Sequence, residues 1–182
     1  KVFAPGVLPE SLTHLTLGPK YNKVFAPGVL PESLTHLTLG VNYNQEFKVD
    51  VLPHKLTHLT LGNDYKQVFA PGVLLKLTHL TLGYYYNQEF ARDVLPNSLT
   101  HLTLGDTYNQ EFKVGVLPES LTHLTLGRFY NQEFKVGILP QLLNLTFNNE
   151  SNIKSCILSK DVIPLTLKNY TELTKHLIVL SK

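Results

Sequence analysis

Histidines at a nearly constant spacing are the residues of this 182-residue sequence that most suggest chemistry. Six of them occupy the same place in a Leu-Thr-His-Leu-Thr-Leu hexapeptide that recurs every 21 or 22 residues. They are His14, His36, His58, His79, His101 and His123. If successive copies form neighbouring strands, the six imidazoles lie in one row with a spacing of about 4.8 Å. Such a row is a candidate for proton binding, metal binding or recognition of a partner.

Three interpretations of the histidine row remain open at the level of sequence. In the first, duplication copied a neutral residue that stacks adequately and has no role of its own. In the second, the row is a pH-sensitive surface, because neighbouring imidazolium charges repel and protonation within the row is harder than in a free histidine. The third is metal binding, but zinc sites usually add carboxylate or thiolate ligands, and threonines flank these histidines. We therefore predict no metal site.

The outward-facing positions of the hexapeptides also predict a partner-binding surface. Alternation along a short strand directs the leucines to one side and the polar residues to the other. We call the polar side the concave face. Its candidate contact residues are His36, His58, His79, His101, His123, Thr60, Thr81 and Thr103.

A second candidate surface directly follows each hexapeptide. Two residues there, between a glycine and a tyrosine, differ in every copy. We call these pairs the rim. Exposed turns tolerate change and often carry function, and tyrosine and arginine are enriched at binding hot spots. Drift on an exposed turn is the alternative explanation. The candidate rim contacts are Tyr84, Tyr85, Asp106, Arg128 and Phe129.

Catalysis is not expected from this sequence. Enzyme sites bring different residues to one point, whereas a repeat array presents the same residue in rows. The only cysteine, Cys156, and His176 both occur in the non-repeating tail, and no local motif supports a nucleophilic pair there. A row of glutamates lies close to lysines or arginines and is most simply a solvated face; it comprises Glu46, Glu89, Glu111 and Glu133. We predict a non-enzyme without a cofactor.

The element that must position these rows is the repeat itself. Each copy has the apolar spacing Leu-x-x-Leu-x-Leu, and its end alternates as a short strand does. One copy cannot bury its leucines, but stacked copies share a continuous core. The pattern predicts a β-rich solenoid of leucine-rich-repeat type, with parallel strands, little helix and an irregular C-terminal cap. We assign residues 1–147 to the solenoid, six good copies and a degenerate seventh, and residues 148–182 to the cap.

Other repeated positions fit this architecture. A glycine ends each strand, where a turn needs a positive φ or a close backbone approach, and Asn148 takes its place in the seventh copy. An asparagine column predicts buried side-chain amides that satisfy backbone groups, and Lys66 interrupts it. A phenylalanine column supplies the returning side of the core. In the tail, we expect a short helix around residues 169–177.

The repeated unit Leu-Pro-x-Ser-Leu-Thr-His-Leu-Thr-Leu-Gly-x-x-Tyr-Asn-Gln resembles the FNIP repeat of social amoebae and giant amoeba-infecting viruses. The resemblance covers residues 1 to about 152. The Phe-Asn-Ile-Pro stretch that names the family is replaced here by Tyr-Asn-Gln-Glu-Phe, as in residues 86–90. Some family members carry an F-box ahead of their repeats. The resemblance therefore implies a leucine-rich-repeat-like scaffold and the target-binding part of a ubiquitin-ligase substrate adaptor, with no catalytic residues.

Composition narrows the class of partner further. The sequence has 16 Lys and Arg and 14 Asp and Glu, so no basic stripe favours nucleic acid. No apolar run reaches the roughly 20 residues that cross a bilayer. A single cysteine suits a reducing intracellular compartment, here host or amoebal cytoplasm. The sequence has no methionine and opens within a repeat, so we expect a fragment of a longer protein. We expect a protein partner, and the alternative is a structural array without a dedicated partner.

Overall fold

A single parallel sheet organises the part of the chain that the computed structural model describes, residues 2–148. Its strands lie in chain order, and each pairs with the next. They are β1 (His14–Thr16), β2 (His36–Thr38), β3 (His58–Thr60), β4 (His79–Thr81), β5 (His101–Thr103), β6 (His123–Leu126) and β7 (Asn144–Phe147). We number the coils of the solenoid by the strand that each contains. The fold class expected from the sequence is confirmed.

The described residues contain no helix, so none of them provides a segment that could cross a membrane as a helix. The proposed tail helix and nearly all of the proposed cap lie outside the described residues.

Strand register follows directly from the repeat. His14 pairs with His36, Leu15 with Leu37 and Thr16 with Thr38, and the same correspondence continues to β7. A shift by one residue would turn the inward leucines to solvent, so burial of one face holds the register. The shortened copies, 4 and 7, keep this register because their missing residue falls before the strand.

Each coil turns at corners that sequence chemistry explains. In coil 1, Pro5 and Gly6 occupy the centre of a turn closed by the Val7 amide, which donates to the Ala4 carbonyl at 3.2 Å. Gly6 has a φ of 76°, as a type II turn requires at its third residue. The corresponding residues of the later coils also have positive φ and are Gly28, Asp50, Gly72, Asp93, Gly115 and Gly137. A second turn follows, in which the Leu12 amide donates to the Pro9 carbonyl at 3.0 Å.

The glycine column at the strand ends has a different cause, and of the two alternatives expected for it, one holds. None of these glycines has a positive φ, and neither does Asn148. Instead, a Cβ atom on Gly62 would lie 1.9 Å from the carbonyl oxygen of Gly40. The same holds for the strand-end glycines of coils 2 and 4–6, at 1.9–2.0 Å. Close backbone approach between coils, rather than φ, therefore requires glycine here.

The core is a set of continuous columns inside the coils. Leucines from the strand, a tyrosine, a phenylalanine and a Val-Leu pair from each coil are buried in coils 2–6. Ring centroids of three successive phenylalanine pairs, Phe3–Phe25, Phe25–Phe47 and Phe112–Phe134, are 6.3–6.5 Å apart, whereas successive histidine rings on the opposite side are only 4.0–4.1 Å apart. The rings of successive coils therefore lie closer together in the histidine column than in the phenylalanine column.

Asparagines join adjacent coils as predicted, although they are exposed or half-buried rather than buried. The Asn22 side-chain oxygen accepts hydrogen bonds from the Asn44 amide at 3.0 Å and from the Gln45 side chain at 2.9 Å. Asn44 does the same for the Lys66 amide at 2.9 Å. Lys66 has no side-chain acceptor to offer to the next coil, so the ladder is interrupted there.

Candidate functional site

A repeated hydrogen-bond network holds the histidines of the concave face. In coil 2, the Thr35 hydroxyl donates to the Thr13 carbonyl of the preceding coil at 3.0 Å. The same hydroxyl oxygen lies 2.9 Å from Nδ1 of His36. The arrangement repeats in coils 3–6, with distances of 3.0–3.2 Å to the carbonyl and 2.9 Å to the ring nitrogen.

This network engages one nitrogen of each imidazole. In coils 2–6, Nδ1 lies 2.9 Å from the threonine hydroxyl oxygen, whereas Nε2 makes no hydrogen bond within residues 2–148. His14 differs, because Thr13 has no preceding carbonyl to bind in the described chain.

The rings form one continuous stack. Successive histidines from His14 to His123 are 4.0–4.1 Å apart with interplanar angles of 9–14°. Burial lowers the pKa of His36, His58 and His101, and repulsion from neighbouring imidazoles lowers it further. Other histidines are the only charged groups that act on these three. The neutral form of these three histidines is therefore favoured, and no carboxylate is among the groups that shift their pKa values.

Ring geometry gives no support to the metal interpretation. In nearly parallel rings the Nε2 lone pairs point side by side rather than toward a common centre. An ion bound by two of these nitrogens needs both lone pairs directed at it, so the nearly parallel rings would have to rotate. Residues 2–148 also bring no three metal-ligating side chains together.

A second threonine column borders the histidines. Thr60, Thr81 and Thr103 lie in the strands two residues after the histidines and are half-buried. Unlike the threonines that precede the histidines, they make no side-chain hydrogen bond to the described chain. The concave face thus presents free hydroxyls beside bare ring nitrogens.

The rim has a rigid backbone beneath variable side chains. Each rim pair forms the centre of a turn that the following tyrosine amide closes by donating to the strand-end glycine carbonyl, as Tyr86 does to Gly83 at 3.1 Å. In coils 2–6, the second residue of each pair also bonds to the coil before it. The Thr107 amide donates to the Tyr84 carbonyl at 3.1 Å, and the Phe129 amide donates to the Asp106 carbonyl at 2.9 Å. Because these contacts use backbone atoms, the side chains are free to vary.

The predicted rim contacts form two aromatic clusters with a small gap between them. Tyr84 and Tyr85 of coil 4 meet edge to face, with centroids 4.7 Å apart, and are 38% and 48% exposed. In coil 6, the Arg128 guanidinium lies 5.6 Å from the ring centre of Phe129, which is 50% exposed. Asp106 and its neighbour in coil 5 lie between the clusters and are half-buried. Rim and concave face adjoin, since each rim pair follows its strand by one leucine and one glycine.

The glutamate row lies on the returning side of the coils. Glu89 pairs with Lys113 at 2.5 Å, and Glu111 pairs with Lys135 at 2.6 Å. These four side chains are 46–71% exposed, so the row is a solvated face with ion pairs between successive coils.

Sequence reasoning missed the role of the threonine that precedes each histidine. Its constant place directly before histidine was the available signal, but its carbonyl partner lies 21 or 22 residues earlier.

The comparisons with known proteins agree with the repeat architecture. The model of the FNIP Repeat family matches residues 1–42, 21–64, 43–74, 76–107 and 108–150. No curated protein matches the chain. Among solved structures, the chain is similar to CroV588, a giant-virus protein whose crystal structure is described as a novel circular LRR protein.

The two share 45% identity with a TM-score of 0.85, over 91% of this chain and 24% of CroV588. The chain therefore spans about a quarter of the length of that protein. Because the family model matches most of the sequence, the chain belongs to the FNIP-repeat family.

Proposed function

We propose that this chain is a non-enzymatic protein-binding scaffold that holds one partner against its rim and concave face. Solenoids of leucine-rich-repeat type are typical protein-interaction folds, and their curvature creates extended binding surfaces. The proposed contacts on the rim are Tyr84, Tyr85, Asp106, Arg128 and Phe129. The proposed contacts on the concave face are the histidines of coils 2–6 together with Thr60, Thr81 and Thr103.

The observation that carries the proposal is the combination of a fixed backbone and variable, exposed aromatic side chains at the rim. Aromatic residues and arginine contribute much of the free energy of binding at interfaces. Here they project from turns whose backbone bonds to the preceding coil, so little backbone entropy is lost when a partner binds.

A protein suits this surface better than nucleic acid or a membrane does. Nucleic acid binding requires a basic stripe to neutralise phosphates, and this chain has a formal net charge of +2. We place the protein inside the cell, in host or amoebal cytoplasm.

The test is an affinity capture from host-cell lysate with the whole chain and two variants. The rim variant replaces Tyr84, Tyr85, Arg128 and Phe129 by alanine. The control replaces four exposed valines of the returning side by alanine, namely Val24, Val68, Val114 and Val136. A protein captured by the wild type and the control, but not by the rim variant, supports the proposal. If all three forms capture the same proteins, or none, the alternative of a structural array gains support.

In a narrower form of the proposal, the array is the target-binding part of a ubiquitin-ligase substrate adaptor. Ligase subunits recovered together with the rim-dependent partner from the longer natural protein would support this form. A partner recovered without them supports the scaffold alone.

A further inference from the structure

The histidine column is a row of titratable side chains to which the scaffold function assigns nothing beyond contact. Its rings run from β1 to β6 without a break, with 4.0–4.1 Å between successive centroids and interplanar angles of 9–14°. Two unit charges about 4 Å apart repel enough to disfavour the second one about fivefold, even at the dielectric constant of water. A proton on one ring therefore opposes a proton on the next.

The hydrogen bonds around each ring tolerate a positive charge. Both ring nitrogens donate in the imidazolium form, so Nδ1 of His36 would donate to the Thr35 hydroxyl oxygen, 2.9 Å away. The Thr35 hydroxyl can still give its own proton to the Thr13 carbonyl at 3.0 Å. Protonation breaks neither bond. Its cost arises from the partial burial of the ring and from the neighbouring rings.

The surroundings of the column offer no opposite charge within residues 2–148. Burial lowers the pKa of three of the histidines, and the charged groups that lower it further are all histidines of the column; the three are His36, His58 and His101. The threonines before and after each ring carry no charge, and Asn144 follows the last ring in β7. Protons should therefore occupy alternate rings first, because these lie about twice as far apart as neighbours do.

We propose that the histidine column is a proton-operated switch: it takes up protons on alternate rings in mild acid, and a partner that covers the neutral rings with an uncharged surface is then released. A covering partner removes water from the rings, and loss of water favours their neutral form. Proton uptake and partner binding therefore compete. The release step rests on the proposed scaffold function, whereas the coupled uptake of protons is a property of the chain alone.

His79→Asn tests the coupling in the chain alone, because it divides the column into two shorter stacks. After burial, repulsion from His79 is the largest cause that lowers the pKa of His58 and of His101. The substitution should therefore raise both pKa values, which are measured from the histidine ring protons by NMR between pH 8 and pH 5. The variant should fold, since Asn144 already takes the histidine place in β7 without loss of register.

His54→Asn is the matched control, because His54 lies outside the column beside Glu32 and its loss should leave both pKa values unchanged. If the pKa values of His58 and His101 do not rise in the His79→Asn variant, the proposal is overturned.

Salt tests the same coupling in the unaltered chain and keeps the proposal falsifiable if the variant does not fold. Salt screens the repulsion between rings, so the column should take up protons at a higher pH in about 1 M than in about 0.01 M sodium chloride. His54 is the internal reference and should show a smaller rise, because salt also screens its attraction to Glu32. A rise in the column no larger than that of His54 would overturn the proposal.

The release step is tested with the partner recovered in the capture experiment. Its affinity for the whole chain should be about tenfold lower at pH 5.5 than at pH 7.5, as expected when binding excludes one or two histidine protons. Replacing His58 and His101 by asparagine should reduce this ratio, even if it weakens binding at both pH values. A partner held equally at the two pH values, or one whose ratio is the same for wild type and variant, overturns the release step. Loss of capture at pH 7.5 contradicts the scaffold function instead and leaves the titration of the column unaffected.

Discussion

Replacing Gly83 by alanine should separate close coil packing from every other reason for a glycine at a strand end. A Cβ atom at this position would lie 1.9 Å from the carbonyl oxygen of Gly62 and 2.6 Å from its carbonyl carbon. Gly83 does not have a positive φ, so conformational strain contributes little. Relief of the overlap requires coils 3 and 4 to separate by about 1 Å, because real contacts of this kind rarely fall below about 3 Å.

The magnitude follows from what that separation breaks. Two hydrogen bonds flank the overlap: the Leu61 amide donates to Thr81 at 2.9 Å, and the Tyr85 amide donates to Asn63 at 3.0 Å. Their loss costs about 0.5–1.5 kcal/mol each. Disturbed packing of the stacked leucines adds about 1–3 kcal/mol. We therefore expect Gly83→Ala to lower the free energy of unfolding by about 2–6 kcal/mol.

Gly18→Ala is an internal control in the same sequence context. Gly18 also follows Leu-Thr-Leu, but an added Cβ there meets nothing within 4 Å. Its effect should stay within about 0.5 kcal/mol. Urea unfolding followed by tyrosine fluorescence compares the two variants. Hydrogen exchange should show the loss of protection concentrated at the boundary of coils 3 and 4, since repeats contact only their neighbours. Similar unfolding midpoints for the two variants would refute the close-packing explanation.

Three further predictions concern single columns. Lys66→Asn should raise the free energy of unfolding by about 0.5–1.5 kcal/mol in urea titrations, because it supplies the missing acceptor for the Asn87 amide; no gain would refute that role. Asp50→Gly should raise the free energy of unfolding by up to about 1 kcal/mol, because Asp50 has a φ of 65°. A lower free energy of unfolding would show that the Asp50 side chain is needed. Thermal stability should fall as the pH drops below about 6.5. Because the pKa values of three histidines are lowered in the folded state, that state binds fewer protons than the unfolded state does. Replacing these three histidines by glutamine should flatten the pH dependence; they are His36, His58 and His101.

The period and the strand could be predicted because each copy carries the same information. Leu-x-x-Leu-x-Leu fixes which side of a short strand is buried, and copies of almost equal length place identical residues side by side. The register of β1 on β2 therefore needed no knowledge of distant contacts. The same reasoning correctly placed the leucine and phenylalanine columns in the core.

Most copies have a glycine at the positive-φ turn and another at the strand end, and a single copy does not show that they have different causes. A positive φ and a close carbonyl both select glycine, and the distance between coils appears only after stacking. The substitutions carry a clue in retrospect. Asp50 and Asp93 replace glycine where φ is positive, which aspartate tolerates. No residue other than glycine occurs at the strand ends of coils 1–6, where a Cβ from coil 2 onward would collide with backbone.

The candidate sites depend on where the repeat departs from its own regularity. A uniform array offers the same hydrogen-bonding groups at every coil, so a partner could slide by one coil with almost no change in contacts. A fixed position on the array requires features that occur once. The rim supplies them through pairs such as Tyr84 and Tyr85, which no other coil repeats, and coil 7 supplies one through Asn144. The uniform columns hold the coils together, and the exceptions to them are therefore where specificity must lie.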